Sequence, residues 1–318
     1  MRIAILDDYQ RQAMAMADWS ELNDCDIRVS DRHLRYGEGL EGFLSGAEVV
    51  VAMRERTPFD DRTLAMLPDL RLLVTTGASN AAIDLVAAQR LGITVCGTPG
   101  GGIATAELAF GLLLSLMRHI PTEVAGLRAG NPQWQQTLGR ELAGRSLGIL
   151  GFGRLGQAMA GYGRAFGMQV RAWSRSLDAR TAAEAGVTQV PDLASVLATS
   201  EVISLHLPLT PATHNLLGAV ELGLLPKGAL LINTARAGLV DEHALIDALQ
   251  SGHLGGAGLD VYLTEPLELG HPFRSLPNVI ATPHLGYVTE ETYRRYFPGV
   301  VEAITCWRAG RSVRVLIP

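Results

Sequence analysis

Short apolar runs rich in Val, Ile and Leu alternate with longer stretches of helical period along the whole chain. That alternation is the mark of parallel sheets, whose strands are covered on both faces and joined by helical crossovers. In the first third, RIAIL (2–6), DIRV (26–29), EVVVAM (48–53), RLLVTT (71–76) and ITVC (93–96) are predicted strands, with helical segments such as DDRTLAMLP (60–68) between them. A second series opens near residue 146. It reads SLGILG (146–151), MQVRAW (168–173), VISLHL (202–207), ALLINT (229–234), GAGLDV (256–261) and NVIATP (278–283). Six strands with crossovers match one complete doubly wound fold of order 3-2-1-4-5-6.

Between the series, TPGGGIATAELAFGLLLSLMR (98–118) is a Gly-rich turn entering a long apolar helix. It is expected to bridge two domains and to lie partly at a dimer interface. TEETYRRYFPGVVEAITCWRAG (289–310) reads as a closing helix that Pro298 should kink or interrupt. RSVRVLIP (311–318) reads as an extended tail returning to the first domain, which would then be discontinuous. The predicted domains are 1–98 with 288–318, and 99–287.

Composition narrows the class. A chain of 318 residues exceeds what one core usually supports. Its 47% apolar and 19% charged residues are those of a folded α/β protein. The net charge of −5 offers no basic footprint for nucleic acid. The longest apolar run, LAFGLLLSLM (108–117), is too short to span a bilayer and follows Glu107, so no membrane partner is expected. The start, MRIAILDD, lacks the layout of a signal peptide. Cys25, Cys96 and Cys306 are odd in number and far apart, which suits reduced thiols in the cytoplasm. The histidines follow no metal-ligand spacing, and no metal is expected.

The candidate cofactor turn is GFGRLG (151–156), which ends an apolar strand and opens a helix. Gly151 would permit the tight turn, Gly153 the close approach of a pyrophosphate, and Gly156 the packing of helix on strand. The next strand ends in WSRS (173–176), where a NAD-binding protein normally carries an acid. Ser174, Arg175 and Ser176 offer hydroxyls and a guanidinium instead, which can hold a 2′-phosphate. NADP(H) is therefore favoured, with NAD(H) the alternative.

Ligands of such a sheet collect at the carboxyl ends of the strands. The last three strands end in NTARAGLVDE, LDVYLTEP and TPHLG, which supply Arg236, then Asp260 and Glu265, then His284. Arg236 can grip a carboxylate and reach the adjacent carbonyl. His284 is the natural proton donor near neutrality, and Glu265 would fix its tautomer. His206 is expected at the end of the third strand, on the adenosine side. Arg54, leaving a strand of the first domain, is a candidate second anion contact. Trp134 could cover a neighbouring subunit's site or simply pack.

GFGRLG, NTARAGLVDEHAL, GAGLDVYLTEP and NVIATPHLGYVTEET together resemble the D-isomer-specific 2-hydroxyacid dehydrogenases. The resemblance covers nearly the whole chain and is most specific over 144–287. It implies a Rossmann cofactor domain, a smaller flavodoxin-like α/β substrate domain, an active site in the cleft and a homodimer formed through the cofactor domain. It places the family's arginine, glutamate and acid–base histidine on Arg236, Glu265 and His284. It assigns the nicotinamide carboxamide to Asp260. Further cofactor contacts fall on Thr105, Arg154, Leu155, His206, Leu207, Pro208, Thr234, Ala235 and Gly286.

Two departures touch the substrate. The family's first-domain loop here reads TTGASNAAIDL (75–85), so the carboxylate loop would be built from Ala78 and Ser79. Tyr287 follows HLG, where smaller residues are common in the phosphoglycerate enzymes of that family. The expected activity is NAD(P)-dependent interconversion of a small 2-oxo acid and its D-2-hydroxy acid. Glyoxylate or hydroxypyruvate suits the chain slightly better than 3-phosphohydroxypyruvate, because Arg54 and Arg56 are the only obvious phosphate contacts. The rival readings are a dinucleotide-sensing, corepressor-like interaction protein on the same fold, and a formate- or phosphite-type dehydrogenase.

Overall fold

The computed structural model describes residues 1–317. The chain divides into two compact units, one made of Met1–Gly102 with the segment from Val288 onward, the other of Ile103–Tyr287.

The first unit is built on five parallel strands, β1 (Arg2–Ile5), β2 (Asp26–Val29), β3 (Val49–Ala52), β4 (Leu72–Thr75) and β5 (Thr94–Gly97). Their order is β2-β1-β3-β4-β5. Every residue of β3 and β4 is buried, as the continuous apolar runs require of strands covered on both faces. The order reverses between β1 and β3, so the loops after β1, β3 and β4 carry the candidate contacts of this unit.

The helix Glu290–Arg308 packs on β4 and β5 and runs through Pro298 without the predicted interruption. Proline removes one backbone donor, but Phe297, Gly299, Val300 and Val301 beside it are all buried, and that packing holds the two halves in one helix. The tail returns to the same sheet, where Leu316 N donates to Val95 O at 2.8 Å.

The second unit holds seven parallel strands: β6 (Ser146–Leu150), β7 (Gln169–Trp173), β8 (Thr188–Gln189), β9 (Val202–Leu205), β10 (Ala229–Asn233), β11 (Leu254–Leu259) and β12 (Val279–Ala281). Their order is β12-β11-β10-β9-β6-β7-β8. The expected count of six was one short. β8 is two exposed residues with no apolar run to announce it. The omission shifts one assignment. VISLHL is the fourth strand and not the third, and β9 pairs with β6 and β10. His206 therefore stands at the switch point, across β6 from the strand that ends in WSRS, and not on the adenosine side.

One face of this sheet is covered by the helices Ala104–Met117 and Arg154–Ala165, which bury Ala109, Leu113, Met159 and Ala160 with Leu147, Ile149 and Ile232. The other is covered by the helices Leu193–Ala198, Ala219–Leu224 and Glu242–Gln250, which bury Val196, Leu222, Leu245 and Leu249 with Ile203, Leu205 and Leu231. Each fully buried aliphatic side chain contributes about 1.5–3 kcal/mol relative to exposure. No helix among the described residues is long and apolar enough to cross a membrane.

Candidate active site

The turn after β6 has the shape its glycines predict. Gly151 stands at φ +94°, and a Cβ on Gly156 would lie 2.1 Å from the Gly151 carbonyl oxygen. Helix and strand meet there without room for a side chain. A Cβ on Gly153 would meet nothing within 4 Å. No side chain caps the helix Arg154–Ala165, whereas Asp178, Asp192 and Asp241 cap three other helices of the unit. A bare, positively polarised helix start facing open space fits the pyrophosphate of a dinucleotide. Thr234, just beyond β10, adds a buried hydroxyl with no hydrogen-bond partner in the protein. These features fit the expected cofactor.

Gly151 N donates to Trp173 O, so the end of β7 lies beside this turn. Arg175 and Ser176 are exposed there, and Ser174 is half-buried. The following helix takes its cap from Asp178, which leaves Ser174 without a capping task. Arg154 is exposed and Leu155 half-buried.

His206 N donates to Leu150 O at 2.8 Å, and its Nε2 lies 2.9 Å from Ser204 Oγ. Desolvation of the half-buried imidazole pulls its pKa down to about 4. Leu207 is half-buried and Pro208 exposed.

The strands β10, β11 and β12 are adjacent and parallel, so Arg236, Glu265 and His284 follow carboxyl ends on one edge of the sheet. The Arg236 turn is shaped by buried Asn233. Its Nδ2 donates to Arg236 O at 2.9 Å, and its Oδ1 accepts from Ala235 N at 3.0 Å. Arg236 Nη1 donates to Ala235 O at 2.7 Å. Glu265 and His284 meet directly, with His284 Nδ1 2.7 Å from Glu265 Oε2. The other carboxylate oxygen, Oε1, accepts from Tyr262 N at 3.0 Å. With Nδ1 engaged, Nε2 is the ring atom left to exchange a proton with a ligand. The Tyr287 ring meets the His284 ring edge-on at 5.5 Å.

His284 itself stands at φ +54°, in the left-handed region. Such backbone persists only where its surroundings hold it. Here Asp260 does so. Its Oδ1 accepts from Thr282 Oγ1 at 2.6 Å and Leu285 N at 2.7 Å, and its Oδ2 from Gly286 N at 2.8 Å. Thr105 Oγ1 donates to Gly286 O at 2.8 Å. Asp260 is fully buried, and desolvation raises its pKa against the opposing hydrogen bonds. Asp260, Thr105 and Gly286, expected beside the cofactor, thus build the loop that carries His284.

Sequence reasoning missed Asn233, Tyr262 and Thr282. Asparagine at a strand end is a turn-forming signal that could have found the first. The other two act through contacts that no local pattern encodes.

In the first unit, Arg54 stands at φ +53° and its Nη1 donates to Thr76 O at 3.1 Å and Ser79 O at 3.2 Å. A Cβ on Gly77 would come within 1.9 Å of that nitrogen, so a side chain there would have to displace the guanidinium. Ala78 and Ser79 are exposed on the same loop, and buried Asn80 ties it to Arg54 O at 2.7 Å. Among the described residues, no group of three or more His, Cys, Asp or Glu side chains could hold a metal ion.

Residues 110–286, more than half of the chain, match the family model described as D-isomer specific 2-hydroxyacid dehydrogenase, NAD binding domain. A hydroxypyruvate reductase of Thermotoga maritima is 34% identical over 95% of this chain and 97% of its own length. A D-3-phosphoglycerate dehydrogenase of Methanocaldococcus jannaschii is 36% identical over 80% of this chain, which spans only 49% of that longer protein. Among solved structures, a phosphoglycerate oxidoreductase from Vibrio cholerae O395 superposes with a TM-score of 0.92 at 37% identity, over 98% of this chain and 99% of that one. The apo D-lactate dehydrogenase from Escherichia coli gives 0.86 at 26% identity over the full length of both. With this match over a doubly wound sheet that carries the glycine turn and the paired imidazole and carboxylate, the chain belongs to the D-isomer-specific 2-hydroxyacid dehydrogenase family.

Proposed function

We propose that this protein is a cytoplasmic NAD(P)-dependent dehydrogenase that interconverts a small 2-oxo acid and its D-2-hydroxy acid. The observation that carries the reading is the 2.7 Å contact between His284 Nδ1 and Glu265 Oε2, which leaves Nε2 for proton transfer. When bound, the nicotinamide supplies or accepts the hydride. Arg236 binds the substrate carboxylate and polarises the neighbouring carbonyl. Protonated His284 gives its Nε2 proton to the carbonyl oxygen as charge develops there, and Glu265 balances the imidazolium. In oxidation the same nitrogen takes the proton back.

Gly151, Gly153, Gly156, Arg154 and Leu155 hold the pyrophosphate side of the cofactor. The stretch His206–Leu207–Pro208 with Thr234 and Ala235 lines the other part of its path. Ser174, Arg175 and Ser176, exposed or half-buried after β7, support NADP(H) over NAD(H).

The substrate is read as one without a phosphate, of the glyoxylate or hydroxypyruvate type, with Arg54, Ala78 and Ser79 among its contacts. Support comes from how Arg56, one of the two candidate phosphate contacts, is occupied. Arg56 is 9% exposed, donates to Asp7 O and stacks over the Tyr9 ring, while only the Nη1 of Arg54 is bound to the two loop carbonyls.

A homodimer formed through the cofactor domain is supported by the exposed Leu127, Trp134 and Leu138, more apolar surface than one short segment usually leaves in water. The test of the reaction is the handedness of the product. Reduction of hydroxypyruvate is expected to give D-glycerate alone; L-glycerate or a racemic mixture would refute the assignment.

A further inference from the structure

Two supports converge on the His284–Glu265 pair from a residue that the reaction itself does not require. Tyr262 lies between β11 and Glu265, and its ring is buried. Its backbone N–H donates to Glu265 Oε1 at 3.0 Å, while the opposite oxygen of that carboxylate receives His284 Nδ1. Its hydroxyl lies 2.9 Å from Thr282 O and 3.1 Å from Leu259 O, within donating distance of both. Thr282 O is also the acceptor of His284 N, at 2.9 Å. One residue thus touches the carboxylate directly and the imidazole through the carbonyl that its own backbone uses.

We propose that Tyr262 is a positioning residue for the acid–base pair, its main chain orienting the Glu265 carboxylate and its hydroxyl fixing the strained loop that presents His284. Three points favour this role over plain packing. A phenylalanine would fill the same volume, so burial alone gives no reason for a hydroxyl. Thr282 cannot replace that hydroxyl, because its own is committed to Asp260 Oδ1 at 2.6 Å. Left-handed backbone at a non-glycine residue needs more than one tie to persist; Asp260 holds the far side of His284 through Leu285 N and Gly286 N but the near side only through the Thr282 hydroxyl, leaving the Thr282 carbonyl to the Tyr262 hydroxyl. Burial pushes the phenol pKa above its ordinary value, so the group remains a donor throughout the working pH range.

The inference rests on the acid–base reading of His284, so the experiment tests Tyr262→Phe beside His284→Ala. The phenylalanine variant keeps the ring and is expected to fold, with a Tm near that of the parent. Loss of one buried hydrogen bond that acts on reactive geometry should lower kcat by about 3- to 10-fold, with KM for substrate and cofactor unchanged. An unchanged kcat in Tyr262→Phe, with His284→Ala inactive, overturns the positioning role and leaves the acid–base reading intact. A large fall in Tm together with changes in both KM values identifies packing and also overturns it. Parental turnover in His284→Ala removes the acid–base reading, and this inference falls with it.

Discussion

His284 Nδ1 lies 2.7 Å from Glu265 Oε2, on a residue held at φ +54°. The imidazole is thereby fixed in tautomer and in direction before any substrate arrives. On the proposed mechanism, replacing His284 by Ala removes the proton donor and should lower turnover by about 10²- to 10⁴-fold. Cofactor affinity should stay near the parental value, because the glycine turn lies on other strands. Steady-state rates together with a direct cofactor titration check both halves; turnover within a few-fold of the parent would remove His284 from the chemistry.

Arg236 is expected to act as a planar fork and not merely as a charge. Arg236→Lys keeps the cation but loses the bidentate grip, so kcat/KM for 2-oxo acids should fall by about 10- to 100-fold. A lysine variant matching the parent would mean that the charge alone suffices.

The proposed preference for NADP(H) rests on Ser174, Arg175 and Ser176 after β7. Arg175→Asp places an acid where a 2′-phosphate would sit and where a ribose hydroxyl would be welcome. The ratio of kcat/KM for NADPH to that for NADH should fall by about tenfold or more. An unaltered ratio would retire the phosphate assignment.

Much of this was legible in the chain, for identifiable reasons. The runs that became β1, β3, β4 and β6 are continuous because both faces of each strand are covered. The glycine turn is legible because sterics leave few substitutes for Gly151 and Gly156. Arg236, Glu265 and His284 stood out as candidates because each lies in the loop that follows a strand of the second sheet. β8 was invisible because an edge strand of two exposed residues needs no apolar pattern. Pro298 does not interrupt its helix, because tertiary packing there outweighs a local rule. The contacts of the Asp260 carboxylate and of the Tyr262 hydroxyl with the His284 loop span 20 or more residues, and nothing local records them.

His206 makes a stability prediction. Its pKa is about 4 in the folded protein against an ordinary 6.5. As pH falls through 6.5, the unfolded chain takes up the proton first, so stability is complete above that value and is lost progressively toward pH 4. The slope from this group is at most about 1.4 kcal/mol per pH unit. Denaturant midpoints measured from pH 7 to pH 4 should decline, and less steeply in His206→Gln. Equal slopes in the two proteins would contradict the desolvation of a neutral imidazole.

Gly156→Ala tests the close approach of helix and strand. A methyl group 2.1 Å from the Gly151 carbonyl oxygen must displace backbone. The variant should lose about 1–3 kcal/mol of stability and most of its cofactor affinity. Thermal melts with and without cofactor check this, and a variant with parental Tm and affinity would show that the turn has slack.

The most direct test of the whole account is the oxidation of NADPH and of NADH by the purified protein in the presence of glyoxylate, hydroxypyruvate and pyruvate. Steady consumption is expected, faster with glyoxylate or hydroxypyruvate than with pyruvate, and faster with NADPH than with NADH. No consumption of either cofactor with any of the three acids would contradict the claim that Arg236, Glu265 and His284 form a 2-oxo acid reduction site.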